Sequence, residues 1–136
     1  MIFRKTIKIS TASEIEIVDI TEDVKKVVKE SGIKNGICHV FLPHATAALI
    51  LNENESGLLS DFLKKISSCF PRGIGYEHDR IDDNANSHLG SGFIGQEKTL
   101  PVSNGILVRG TWQNLLVIEL DGPRSEREVI VTVIGE

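Results

Sequence analysis

A chain of 136 residues that is 40% hydrophobic and 25% charged can bury a real core as one domain without disulfides or a metal to hold it together. Its formal charge is −4 and no run of Lys or Arg exceeds two residues, which argues against nucleic acid or an anionic membrane as a partner, since both need a concentrated positive face. No apolar run approaches the roughly 20 residues of a membrane span. The N-terminus lacks a signal peptide's apolar centre, and Cys38 and Cys69 lie outside any Cys-x-x-Cys motif, so a reduced, cytoplasmic protein is expected.

Residues 2–9 alternate, with Phe3, Ile7 and Ile9 on one parity and Arg4, Thr6 and Lys8 on the other, the period of a half-buried strand. A polar turn at Ser10–Ser13 and a second alternation of Ile15 and Ile17 with Glu14 and Glu16 predict that the two strands form a hairpin. Thr21 then reads as an N-cap, with Glu22 and Asp23 in the first turn, where the helix dipole favours negative charge. Val24, Val27 and Val28 follow at helical spacing, and Gly32 suits the C-terminal end, which predicts a helix over 21–31. Ile37–Leu42 reads as a continuous apolar strand interrupted only by His39, and Ala47–Leu51 as another buried strand. A second amphipathic helix is expected over 56–67, its apolar face formed by Leu58, Leu59, Phe62, Leu63 and Ile66. Pro71, Gly73 and Gly75 end that pattern.

The stretch Tyr76–Leu89 packs His78, His88, Asp79, Asp82, Asp83, Asn84 and Asn86 into fourteen residues, which makes it either a solvated loop or a site. From about Asp83 a short helix would carry Asn84 and His88 four residues apart on one face. The last third is β. Strands over 98–102 and 106–109 flank Asn104-Gly105, the strongest hairpin signal in the chain, and strands over 115–120 and 128–134 flank the turn Asp121-Gly122-Pro123. Strands mostly joined as antiparallel neighbours predict an α+β fold: an antiparallel sheet or sandwich with two main helices packed against it.

Histidine is the commonest metal ligand and the side chain whose ordinary pKa lies nearest neutrality. His39 shares its parity with Ile37 and Phe41 and reads as a structural histidine. His44, His78 and His88 come from separate segments, as ligands of a catalytic metal usually do, and three imidazoles around Zn²⁺ would leave one position open. Asp79, Asp83 and Glu53 would orient the imidazoles, or would themselves hold Mg²⁺ or Mn²⁺; each is otherwise a solvated charge. Asn52 sits at a strand end as a site residue or a turn residue. In Gly110-Thr111-Trp112-Gln113, Trp112 is core and Gln113 exposed, or Gln113 points into a pocket that Trp112 walls. Arg124 would bind phosphate as a bidentate fork, with Arg109 a second candidate.

His44-Ala45-Thr46-Ala47-Ala48-Leu49 with Asn52-Glu53-Asn54, then His78-Asp79, Asp83-Asn84-Ala85 with His88-Leu89, Gly110-Thr111-Trp112-Gln113, Asp121-Gly122-Pro123-Arg124 and Val131-Thr132-Val133-Ile134-Gly135-Glu136 resemble the YjbQ-like family, small proteins often labelled secondary thiamine-phosphate synthases. The resemblance covers nearly the whole chain. It implies a compact α+β homotrimer with the motif residues in a pocket close to the subunit interface and a divalent metal bound in some members. It also implies an activity that joins a pyrimidine diphosphate to a thiazole phosphate. In that reading His78, Asp79, Asn84 and Gln113 are catalytic, Asn52, Glu53, Trp112 and Arg124 bind substrate, and His44, His78 and His88 bind zinc, magnesium or manganese. The chain departs from the family's pattern at Ala45, Asn86, Ser87, Gly90 and Arg109, and the Lys usual at position 90 would have been a phosphate contact. The expected function is an enzyme acting on a phosphorylated small molecule. The alternatives are a non-catalytic binder of a small anionic metabolite, and a polar stretch that only glues subunits together.

Overall fold

The computed structural model describes residues 1–136 as two antiparallel sheets with three helices. Strands β1 (Ile2–Ile9), β3 (Gly36–Phe41), β5 (Glu97–Ser103), β6 (Ile106–Leu107) and β8 (Arg127–Gly135) form the first sheet, in the order β1-β8-β3-β5-β6. Strands β2 (Glu16–Asp19), β4 (Ala47–Asn52) and β7 (Asn114–Glu119) form the second, with β7 central. Helices α1 (Thr21–Ser31), α2 (Ser56–Cys69) and α3 (Ala85–Ile94) and a 3₁₀ turn at Glu77–Arg80 complete it.

The inward parities of the two sheets meet in one core. Cys38, Val40, Leu100, Val102, Val129, Val131 and Val133 come from the first sheet and Ala47, Leu49, Leu115 and Val117 from the second, and α1 adds Val24, Val27 and Val28. The other face of the second sheet is also covered: Ala48, Ile118 and Leu120 pack with Ile66, Phe70 and Ile94. Burial on both faces explains why 115–118 reads as an unbroken apolar run rather than an alternation.

The expected hairpin of the first two strands does not form. β1 pairs with β8 from Ile2↔Ile134 to Ile9↔Arg127, whereas β2 pairs with β7, so the polar turn between them crosses from one sheet to the other. The segment Asp121–Glu126 crosses in the same way between β7 and β8, which are not neighbours. Alternation encodes which face of a strand is inward and carries no label for the adjacent strand. The Asn104-Gly105 hairpin does form, with both residues at positive φ (52° and 76°), as a two-residue primed turn requires.

Thr21 is the first helical residue rather than the cap, a place taken by Ile20 without a side-chain bond. The Thr21 amide donates to Asp19 Oδ1 at 2.9 Å, and its hydroxyl accepts from the Leu115 amide at 2.9 Å, which ties α1 to β7. Ile37–Leu42 is one-sided rather than buried throughout: Cys38, Val40 and Leu42 face the core, while Ile37 and Phe41 lie on the outer face. His39 is on that outer face, stacked on Phe41 and held by Glu97 Oε2 at 2.5 Å. Of the five apolar residues expected on α2's inner face, only Ile66 is fully buried. No helix is long and apolar enough to cross a membrane.

Candidate functional site

The polar stretch folds back on itself through its own side chains. Asp79 Oδ1 accepts the Ala85 amide at 3.1 Å, which closes the first turn of α3 onto the 3₁₀ turn. α3 is then bolted to the second sheet from beneath: Ser87 Oγ donates to the Leu120 carbonyl at 2.5 Å and Ser91 Oγ to the Ala47 carbonyl at 2.6 Å. With both segments held, the rings of His78 and His88 meet edge to face, their centroids 4.8 Å apart and their planes at 74°. They line a concavity of about 400 Å³ together with Tyr76, Glu77, Ala85 and Leu89. That size is at the lower end of small-molecule sites.

A polar network runs inward from the rim. Asn84 Nδ2 donates to Asp121 Oδ2 at 2.9 Å, and Arg124 closes on the same aspartate, Nη2 to Oδ2 at 2.9 Å and Nε to the carbonyl at 2.8 Å. Asn84 Oδ1 is buried without a partner, the one such side-chain atom in the chain. Groups of this kind are nearly always satisfied, and this one belongs to the residue that precedes Ala85 in the wall of the concavity.

Behind Asp121 lies an ion pair that sequence reasoning missed. Glu119 and Arg127 are 0% and 4% exposed. Glu119 Oε1 accepts Arg127 Nε at 3.0 Å and Thr11 Oγ1 at 2.8 Å, and Oε2 accepts Arg127 Nη2 and, at 3.1 Å, the Asp121 amide. Arg127 Nη2 also reaches the Thr46 carbonyl and hydroxyl. Burial pushes the Glu119 carboxyl up, but the Arg127 guanidinium, the Asp121 amide and the Thr11 hydroxyl outweigh it and hold the group below the usual carboxylate range. The signal was present: Glu119 continues the inward parity of Leu115 and Val117, and Arg127 that of Val129 and Val131. The pair therefore stitches the two sheets together.

His44 belongs to this region and not to the imidazole pair. Its Nε2 accepts the Glu128 amide at 2.8 Å, so its ring proton sits on Nδ1 and neither nitrogen is free to bind a metal. Burial and the charge of Arg127 lower its pKa from the ordinary value and keep the ring neutral. The expected set of His44, His78 and His88 is not assembled within the chain, and no three His, Cys, Asp or Glu side chains are grouped to hold a metal ion. The two imidazoles of His78 and His88 fit only part of a divalent site.

The other predicted site residues stand at the opposite end of the second sheet, where Asn52 pairs with Asn114. Asn52 is a turn residue, its Oδ1 accepting the Glu53 amide at 2.8 Å. Asn54 Nδ2 donates to Asp19 Oδ2 at 2.8 Å. Gln113 closes its own loop, with Oε1 accepting the Gly110 amide at 2.8 Å, and Arg109 Nη1 donates to the Gln113 carbonyl at 2.6 Å. Trp112 is neither core nor pocket wall in the single chain, because 70% of it is exposed. Position 90 departs from the phosphate-contact expectation as well. A Cβ on Gly90 would start 3.1 Å from Leu120 Cδ1 and 3.5 Å from Phe70, towards the layer beneath α3 and not towards the concavity.

The family model described as "UPF0047 protein YjbQ-like" matches residues 5–136. A UPF0047 protein of Methanothermobacter thermautotrophicus is 42% identical over 135 residues, covering 99% of this chain and 94% of its own. The UPF0047 protein YugU of Bacillus subtilis is 34% identical, covering 96% and 98%. Among solved structures, a "YbjQ-like protein of unknown function" from Sulfolobus solfataricus P2 superposes with a TM-score of 0.98 at 50% identity, over 100% of this chain and 99% of that one. A YjbQ/UPF0047 protein of Clostridium acetobutylicum gives a TM-score of 0.90 at 35% identity, over 96% and 99%.

Proposed function

The chain belongs to the YjbQ-like UPF0047 protein family, and on that premise we propose that it is an enzyme acting on a phosphorylated small molecule at the His78–His88 concavity. The observation that carries the reading is the edge-on imidazole pair, 4.8 Å apart, opening onto a cavity of about 400 Å³. Tyr76, Ala85 and Leu89 give that cavity a flat and apolar wall suited to a heteroaromatic ring. Arg124 lies one hydrogen-bonded relay away, through Asp121 and Asn84, and keeps Nη1 uncommitted for a phosphate oxygen. The substrate class is a pyrimidine diphosphate joined to a thiazole phosphate. In that reaction the thiazole nitrogen bonds to the carbon that carries the diphosphate as the bond from that carbon to the diphosphate oxygen breaks, pyrophosphate leaves with the bonding electrons, and Arg124 stabilises its charge.

A divalent ion of the zinc or magnesium and manganese class would be held by His78 and His88 and would supply further charge stabilisation to the diphosphate. Its remaining ligands would come from substrate, water or another subunit of a homotrimer. The test is metal analysis of protein purified without chelator, together with turnover of the two phosphorylated substrates, for the wild type and for His78→Ala and His88→Ala. Bound metal and product in the wild type, both reduced at least tenfold in each variant, are expected. A wild type that carries no metal, gains no thermal stability from Zn²⁺ or Mn²⁺ and forms no product overturns the reading.

One observation favours a binder over an enzyme: Asp79, the carboxylate adjacent to His78, is committed to the Ala85 amide and does not orient an imidazole. For a binder of a small anionic metabolite, calorimetry would show saturable binding lost in His88→Ala, with no product at any enzyme concentration.

A further inference from the structure

We propose that the cleft between α3, the end of α2 and the segment leading into β2 is a second ligand site. Its ligand is a planar nitrogen heterocycle with an amino group beside a ring nitrogen, adenine being the type, and the side-chain amide of Asn86 reads that edge. The site is separate from the His78–His88 concavity and does not depend on the function proposed for it.

Asn86 stands at the second position of α3 and is 8% exposed, yet no group of the chain bonds to its side-chain amide. Its case differs from that of Asn84 Oδ1, which is sealed as well as unpaired. The little surface that Asn86 keeps belongs to the amide itself. It opens into a cavity of about 280 Å³ lined by Glu14, Ile15, Ser67, Phe70 and Arg72. The backbone amide of Asn86 lacks an acceptor too, because its helical partner would lie before the first turn. A side-chain amide so deeply buried is normally paired, since an unmet donor and acceptor forfeit the hydrogen bonds that water gave the unfolded chain.

The helix itself keeps this cleft apart from the concavity. Ala85, His88 and Leu89 face the concavity, and Ser87 and Ser91 are bonded to the sheet. At about 3.6 residues per turn, Asn86 falls roughly a third of a turn from the first set, on the strip that continues to Gly90. That strip faces Phe70, whose Cδ2 lies 3.5 Å from where a Cβ on Gly90 would stand. Two sides of one helix thus serve two different openings.

The lining selects the ligand. Phe70 and Ile15, both half-buried, give the cleft apolar walls, and an aromatic ring packs well against the first of them. An asparagine amide offers one donor and one acceptor side by side. That is the complement of an amino group next to a ring nitrogen, the pairing by which asparagine recognises adenine in nucleic acids. The exocyclic amino group would donate to Asn86 Oδ1, and the ring nitrogen would accept from Nδ2. Charge disfavours an anion: Arg72 is spent on two carboxylates, Nη1 on Glu14 and Nη2 on Asp83 Oδ2 at 2.7 Å, which leaves the rim negative. A free base or nucleoside therefore fits this cleft better than a nucleotide, whose phosphate would meet that rim.

The test is titration calorimetry of the full-length protein with adenine, purine, adenosine and AMP as probes. Adenine should bind once per chain, about fivefold tighter than purine, which has the same shape without the amino group, and about tenfold tighter than AMP. Adenosine binding as tightly as adenine identifies the nucleoside as the form taken up, and weaker binding identifies the free base; both support the site. Asn86→Leu keeps the branching and heavy-atom count and should weaken adenine about tenfold or more. Its melting temperature without ligand should equal or exceed the wild type's, because no group of the chain loses a partner. Ser67→Trp, on the exposed last turn of α2, fills the cleft from outside the core and should abolish binding. His88→Ala should leave it unchanged. No adenine binding at millimolar concentration, purine or AMP binding as tightly as adenine, or binding that survives Asn86→Leu overturns the inference. So does an Asn86→Leu protein that melts clearly below the wild type, since its amide was then already satisfied. Adenine binding lost in His88→Ala and kept in Asn86→Leu places the ring in the concavity and overturns it as well.

Discussion

Removing Arg127 tests the reasoning about the buried pair most directly. In Arg127→Met a side chain of similar length replaces the guanidinium, and Glu119, 0% exposed, keeps only Thr11 and the Asp121 amide as partners. Leaving one member of a buried ion pair uncompensated costs roughly 3–5 kcal/mol. That is a large share of the about 5–15 kcal/mol that holds a domain folded. At about 2–4 °C per kcal/mol for a domain somewhat longer than this one, the melting temperature should fall by roughly 6–20 °C. The double variant Glu119→Met/Arg127→Met removes both charges and leaves Thr11, Thr46 and the Asp121 amide short of partners at about 1 kcal/mol each. It should therefore be more stable than Arg127→Met alone. The assay is urea denaturation at pH 7 and one fixed protein concentration, because assembly couples stability to concentration. If Arg127→Met costs less than about 1 kcal/mol, or the double variant loses the sum of the two single variants, the pair does not carry the energy assigned to it. Binding of pyrophosphate should weaken in the same variant, since Glu119 also positions the aspartate on which Arg124 closes.

Acidification should destabilise the protein in two stages. His44 has a folded pKa below its ordinary 6.5, so its contribution is complete above that value and is lost as pH falls through the lowered one; Glu119 repeats the pattern below its ordinary 4.5. Urea midpoints measured from pH 8 to pH 3 should fall throughout, with the step below pH 6.5 absent in His44→Gln; a rise on acidification contradicts both assignments. Gly122→Ala puts a Cβ 2.1 Å from the Ser13 carbonyl oxygen and 2.9 Å from Glu119 Cγ, in a crossing that has no room to move. A loss of about 1–3 kcal/mol is expected in thermal melts, and an unchanged melting temperature would show that the backbone yields. Gly90→Lys should lower stability without improving phosphate binding, and tighter phosphate binding in calorimetry would place that position on the site after all.

The elements themselves were largely legible. The valine spacing of 24, 27 and 28 predicted α1 to its ends, and the parity of Phe3, Ile7 and Ile9 predicted the half-buried β1. Asn104-Gly105 predicted its hairpin because few other pairs tolerate two positive φ values. The site was legible only in pieces. His78 and His88 were expected to be neighbours and are. His44 was grouped with them by residue type, yet the Glu128 amide claims it, and no motif announces a backbone partner 84 positions away. Glu119 and Arg127 escaped because each ends a long apolar run whose parity, taken strictly, points them at one another.

By itself, then, the sequence determined which side of each strand and helix turns inward, since that depends on local periodicity and on the cost of wetting apolar side chains. It also determined a polar stretch too costly to bury and too long for a simple turn. Tertiary structure alone decided that β1 joins β8 and β2 joins β7 in separate sheets, because backbone hydrogen bonds in a ladder are the same for every residue and identify no partner. That choice of partners is also what placed the imidazole pair at one end of β7 and Trp112 at the other.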